Sequence, residues 1–139
     1  MPYSTIADRQ GTHYDEKLVI RPISSAPIAA TTSETAIAFP VTKAEDAYLV
    51  LQVQALTGAI DATNNWTFTA EVSATLGGTY SPVGSLTLAK NKADDYLIPL
   101  NGYTIGKVVP NAAFIRVTAT KAGTAGALTY AAYVSPDVG

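Results

Sequence analysis

The sequence predicts an all-β protein, an antiparallel two-sheet β-sandwich or jelly roll of about eight strands. Three observations carry this expectation. Apolar residues recur with period two through most of the patterned segments, and β-branched and aromatic residues dominate them. Gly, Pro, Asn and Ser punctuate those segments at short intervals. No window carries apolar residues at i, i+3, i+4 and i+7 between helix caps, so helix is expected to be minor.

Residues 1–17 are polar, mix both charges and hold no sustained period, which predicts an extended N-terminal arm with Tyr3 and Tyr14 as its large anchors. The rest, residues 18–139, is expected to form a single β-sandwich domain. "LVIRPI" opens it as a first strand, and Pro22 assigns that strand an edge position or an end there, because proline cannot donate to a ladder. "SSAPIAATTSE" follows as a loop or irregular edge. In "AYLVLQVQAL", Ala47, Leu49, Leu51, Val53 and Ala55 share one face, with Tyr48, Gln52 and Gln54 on the other and Val50 as an apolar exception there. "WTFTAEVSA" alternates most cleanly, with Trp66, Phe68, Ala70, Val72 and Ala74 inward and Thr67, Thr69, Glu71 and Ser73 outward. A Gly77-Gly78 turn then leads to a strand closing on Leu86 and Leu88, with Pro82 and Gly84 marking a bend or bulge, and the two strands form a long hairpin.

"DDYLIPL" predicts a short strand around Tyr96, Ile98 and Leu100, and "NGYTIGKVVPN" reads as a turn-rich connection. In "AFIRVTAT", Ala113, Ile115, Val117 and Ala119 oppose Phe114, Arg116, Thr118 and Thr120. In "LTYAAYV", Leu128, Tyr130, Ala132 and Val134 point inward, against Thr129, Ala131, Tyr133 and Ser135. With "GTAGA" as a flexible connector, these last two strands read as a hairpin.

Composition narrows the function classes. The chain has 139 residues, 47% of them hydrophobic, enough for one sizeable core. Charged residues make up 14% and the formal net charge is -2, so no cationic excess exists for phosphates, and nucleic acid is not an expected partner. There is no basic, apolar leader and no run of roughly 18 apolar residues, which predicts a soluble, cytoplasmically made protein with no membrane partner. Without cysteine there is no thiolate chemistry and no disulfide framework.

Chemistry is sparse. His13 is the one histidine and lies in the arm, which disfavours Ser-His-Asp catalysis and transition-metal ligation, so neither catalytic nor metal residues nor a cofactor are expected. Asp61, Asn64 and Asn65 have the composition of a turn and lack the glycine and terminal glutamate of a calcium loop. The pairs Asp15-Glu16, Glu45-Asp46 and Asp94-Asp95 each sit near a lysine (Lys17, Lys43 or Lys92) and read as solvated loops with local ion pairs. Arg116 on an outward strand face is either an anchor for a partner's carboxylate or the cross-strand partner of Glu71. Of the eight tyrosines, Tyr48, Tyr103 and Tyr133 are outward candidates for contacts with other chains. Trp66 is in phase with the core, which counts against a sugar-stacking platform.

The run "AYLVLQVQALTG…NNWTFTAEVSATLGGTYSPVGSLTL…DDYLIPLNG…AFIRVTATKAGTAGALTYAAYVSPD" resembles the jelly-roll capsid cement, or decoration, proteins of tailed double-stranded DNA bacteriophages. The likeness covers roughly Leu18 to Asp137. Its most specific part is the ending, an "IRV" strand, a Gly-Thr-Ala-Gly turn and an alanine-rich last strand. The resemblance implies a virion structural protein, assembled in the bacterial host cytoplasm, that binds the capsid exterior as a dimer or trimer and bridges neighbouring major capsid protein subunits. It carries over no catalytic residue, cofactor or small-molecule substrate. Tyr3, Tyr14, Tyr48, Tyr103, Arg116 and Tyr133 are interface candidates from their chemistry. The same sandwich serves carbohydrate-binding modules and tail or baseplate adhesion domains, which form the alternative expectation.

Overall fold

The computed structural model describes residues 18–39, 46–56, 60–88 and 91–135. The expectations for the 1–17 arm, with Tyr3, His13, Tyr14 and the Asp15-Glu16 pair, and those for Lys43 and Glu45, lie outside the described residues. In chain order the strands are β1 (Val19–Arg21), β2 (Thr32–Ser33), β3 (Ile37–Ala38), β4 (Asp46–Val53), β5 (Asn65–Ser73), β6 (Ser81–Thr87) and β7 (Asp94–Asn101). A helix, α1 (Gly102–Val108), then precedes β8 (Phe114–Ala122) and β9 (Tyr130–Ser135).

The strands form two antiparallel sheets. One has the order β1-β9-β4-β7; the other has the order β2-β8-β5-β6, with β3 also on β8. β2 and β3 pair with successive stretches of the same edge of β8, and the Glu34 N–H between them donates to the Val117 carbonyl at 2.9 Å. They are therefore two pieces of one interrupted strand, and "SSAPIAATTSE" is the irregular edge whose end supplies the first piece. Counted so, the sandwich is four strands on four, and the chain changes sheet at every connection except β5–β6. That connectivity makes the sandwich a jelly roll.

Alternation in the sequence becomes burial in the fold. Along β5, Trp66, Phe68, Ala70 and Val72 are fully buried, and along β8 so are Ile115, Val117 and Ala119. They face Leu49, Leu51, Ile98, Leu100, Tyr130 and Val134 of the other sheet across one hydrophobic core. Each such large side chain removed from water contributes about 1.5–3 kcal/mol. The β5–β6 hairpin carries the expected bulge: pairing moves from Ala70–Gly84 to Glu71–Pro82, leaving Val83 extra. Gly84 is required there, because a Cβ would lie 2.8 Å from Ile98 Cγ2.

Two local expectations are corrected. β8 and β9 are not a hairpin, because β8 pairs with β5 and β9 with β1 and β4, in opposite sheets. Period-two alternation looks the same in either sheet, so it carried no sign of the crossing. The connection is held rather than flexible. Gly123 takes φ 65°, Thr124 N–H donates to Asn64 Oδ1 at 2.8 Å, and the Trp66 indole N–H donates to the Gly126 carbonyl at 2.9 Å. Leu128 and Ile28 then exchange backbone hydrogen bonds.

The second correction is α1, which occupies part of the stretch expected to be a turn-rich connection. Asn101 caps it, its side-chain oxygen accepting from Thr104 N at 3.0 Å, and Ile105 anchors it in the core. Seven residues with one deep anchor are too short for a helical period to show.

At Gly123, a Cβ would lie 2.3 Å from Asn64 Oδ1 on a backbone that side chains rarely adopt, whereas at Gly77 nothing stands within 4 Å. Gly123→Ala is expected to cost about 1–3 kcal/mol of unfolding free energy in urea titrations. Gly77→Ala should stay within about 0.5 kcal/mol of the parent protein.

Candidate interaction surfaces and buried polar groups

The outer face of the five-stranded sheet is built from hydroxyls. Cross-strand register sets Ser33, Thr118, Thr69 and Ser85 in one row and Thr120, Thr67 and Thr87 in the next. These side chains are short and β-branched or small, so they form a flat surface that loses little side-chain entropy when covered. Several are already ordered by one another. Thr67 and Thr87 hydroxyls lie 2.9 Å apart, and Ser33 and Thr118 hydroxyls 2.8 Å apart. Thr118 spends its single proton on Glu71 Oε1 at 2.7 Å, so in the Ser33 pair it accepts.

Arg116 lies at the margin of this face. Its Nε–H donates to the same Glu71 Oε1 at 2.8 Å, and its guanidinium carbon stands 4.1 Å from the centre of the Tyr80 ring. The cross-strand pairing with Glu71 is therefore realised, since the two residues are direct neighbours in the β5–β8 register. Arg116 is held in one orientation by a carboxylate and an aromatic face. Tyr80 is fixed in turn, its hydroxyl donating to the Leu76 carbonyl at 2.8 Å.

The tyrosine candidates separate. Tyr103 on α1 is 75% exposed, with the Lys107 ammonium 4.6 Å from its ring centre. Tyr48 is half-buried on the outer face of the four-stranded sheet, opposite Pro99 and Ser135. Tyr133 shares that face but is only 5% exposed. Tyr103 and Arg116 thus lie on different elements, and the described candidates do not converge on one patch.

The remaining polar clusters have structural explanations. Asp61 Oδ1 accepts from the backbone N–H groups of Thr63 and Asn64, which lower its pKa, and the segment is the turn its composition predicted. Asp94 and Asp95 form no ion pair with Lys92; Asp94 Oδ1 instead accepts from the Asp95 N–H at 2.8 Å. They line a shallow, open cleft of about 390 Å³ with Ile23, Gln52, Val53, Gln54 and Ala93. Asp94 and burial together raise the Tyr96 pKa, burial being the larger cause. Among the described residues no group of three or more His, Cys, Asp or Glu side chains is gathered to hold a metal ion, and no helix is long and apolar enough to cross a membrane.

One buried cluster was not anticipated. At β1, two residues oppose one on β9, and this bulge buries both Ile20 and Arg21. Arg21, 6% exposed, donates through Nε to the Tyr130 carbonyl at 3.0 Å, through one terminal nitrogen to Glu34 Oε2 at 3.1 Å, and through the other to the Ala26 carbonyl. Its guanidinium also stacks 4.8 Å from the Tyr130 ring centre, and the Tyr130 hydroxyl donates to the same Glu34 oxygen at 3.0 Å. Arg21, Glu34 and Tyr130 are thus each tied to the others by hydrogen bonds, which suits a fixed brace. An arginine in an apolar run that ends at Pro22 was its only trace in the sequence.

Removing one member of this cluster strands a buried charge. Glu34→Ala is expected to cost about 3 kcal/mol in chemical denaturation, and the apolar pair Arg21→Met/Glu34→Leu less than that single change. Burial foremost, and then the Glu34 carboxylate, push the Tyr130 phenol far above its ordinary value. A raised folded-state pKa means stabilisation that is complete below the unfolded value of about 10 and is lost as pH rises beyond it. Stability should therefore fall above pH ~10 by up to about 1.4 kcal/mol per unit more in the parent protein than in Tyr130→Phe, as read from pH-dependent denaturation midpoints. No protein-family model matches the chain, and no curated protein is significantly similar to it.

Proposed function

We propose that the chain is a non-catalytic virion structural protein that binds the outer surface of a tailed-phage capsid and bridges neighbouring major capsid subunits. The observation that carries this reading is the flat hydroxyl face of the five-stranded sheet, with Arg116 locked at its margin by Glu71 and Tyr80. A rigid, weakly charged face of short side chains suits docking on another protein's surface, since little needs to be reordered on contact. The jelly-roll connectivity and the resemblance of residues 18–137 to capsid cement proteins support the same role. Each bound copy would add buried area between capsomers and stabilise the closed shell by mass action.

The test is co-sedimentation of the purified protein with expanded and unexpanded shells of a tailed phage, at a fixed salt concentration. Selective retention on expanded shells is expected. Thr69→Arg/Thr120→Arg places two long cations in the middle of the hydroxyl face and should weaken retention at least about tenfold, or ~1.4 kcal/mol, without shifting the melting temperature. Absence of shell binding, together with retention on polysaccharide, would replace this reading by that of a glycan-binding module.

A further inference from the structure

Arg116 is only partly spent within the chain. Its Nε–H goes to Glu71 Oε1, and its guanidinium lies on the Tyr80 ring. Among the described residues its two terminal nitrogens donate to nothing. They form a planar fork of N–H groups, and the side chain keeps 30% of its surface exposed. Unpaired N–H groups of a cation stay in water, so the exposed part is the fork. Its direction is already fixed, because Glu71 Oε1 is also held by the Thr118 hydroxyl and Tyr80 by its own hydroxyl on the Leu76 carbonyl. The side-chain entropy that ordinarily weakens a surface ion pair is therefore lost before any partner arrives.

Tyr80 also ties the fork to an apolar neighbour. Leu76, in the turn between β5 and β6, is 58% exposed. Arginine stacked on tyrosine has the composition of an interface anchor, and Leu76 adds apolar area beside it. We propose, on the basis of the capsid reading above, that the protein partner of the hydroxyl face is anchored here by an Asp or Glu side chain with an apolar side chain next to it. The two oxygens of a carboxylate match the fork. A phosphate backbone would call for several cations, and the two hydroxyl rows hold none. Glu71 plays two opposed parts, since it orients the guanidinium and repels a second carboxylate.

The test is co-sedimentation with expanded shells, native or with their carboxylates amidated by carbodiimide and methylamine. Arg116→Gln keeps a donor for Glu71, so it should melt with the parent protein while retention on native shells falls at least about tenfold. Glu71→Gln keeps an acceptor for Arg116 and Thr118 but removes the repelling charge, so retention should rise about threefold, whereas a merely structural Glu71 would give a fall. Leu76→Ser should weaken retention about threefold. On amidated shells the parent protein should bind no better than Arg116→Gln. Parent-like retention of Arg116→Gln or Leu76→Ser, unchanged or weaker retention of Glu71→Gln, or an Arg116→Gln deficit that survives amidation would overturn the carboxylate anchor and leave the capsid reading standing. No retention of the parent protein on native shells would overturn both.

Discussion

A buried guanidinium cannot be discharged, so Arg21 dictates much of its surroundings. Three of its N–H groups take acceptors from three places: the backbone of β9, the loop after β1, and Glu34 between β2 and β3. The loop must therefore fold back to offer Ala26, and the chain must return to offer Glu34. Glu34 serves twice, because its carboxylate answers Arg21 and Tyr130 while its backbone N–H continues the pairing along β8. One residue thus ties the edges of both sheets. A buried ion pair of this kind adds little net stability over an apolar pair of the same shape; what it contributes is a single way of closing this side of the sandwich.

The two outer faces differ in consequence. On the five-stranded sheet, hydroxyls satisfy one another in pairs and Arg116 is neutralised locally, so the face is polar, level and nearly uncharged. On the four-stranded sheet the outer face instead carries an apolar row of Val19, Tyr133, Val50 and Leu97, buried at Tyr133 and Val50, half-buried at Val19 and exposed at Leu97.

Much of this was legible in the sequence where the information is local. Trp66 through Val72 and Ile115 through Ala119 point inward because alternation is a relation between near neighbours, and the β5–β6 hairpin follows because its turn joins strands of one sheet. Sheet membership was not legible, since the pattern of β9 is the same whichever sheet receives it. The partnership of Arg21 with Glu34 spans a loop whose path no periodicity encodes, and α1 rests on one cap and one buried isoleucine. Among the candidate residues, the outward phase of Tyr133 was readable from its neighbours, but its burial is a tertiary property that strand phase does not carry. Glu71 was the one partner for Arg116 that strand order alone suggested, and it is the partner found.

The position of β9 has a further consequence. It pairs with β1 on one side and β4 on the other, yet it leaves the ribosome after every other described strand. Until it emerges, β1 has no neighbour in its sheet and β4 offers a bare edge, so the nascent chain holds half a sandwich with an open seam. Folding must close in one late, long-range step, a topology that makes folding slow and leaves the unfinished chain in need of protection from its own copies during synthesis.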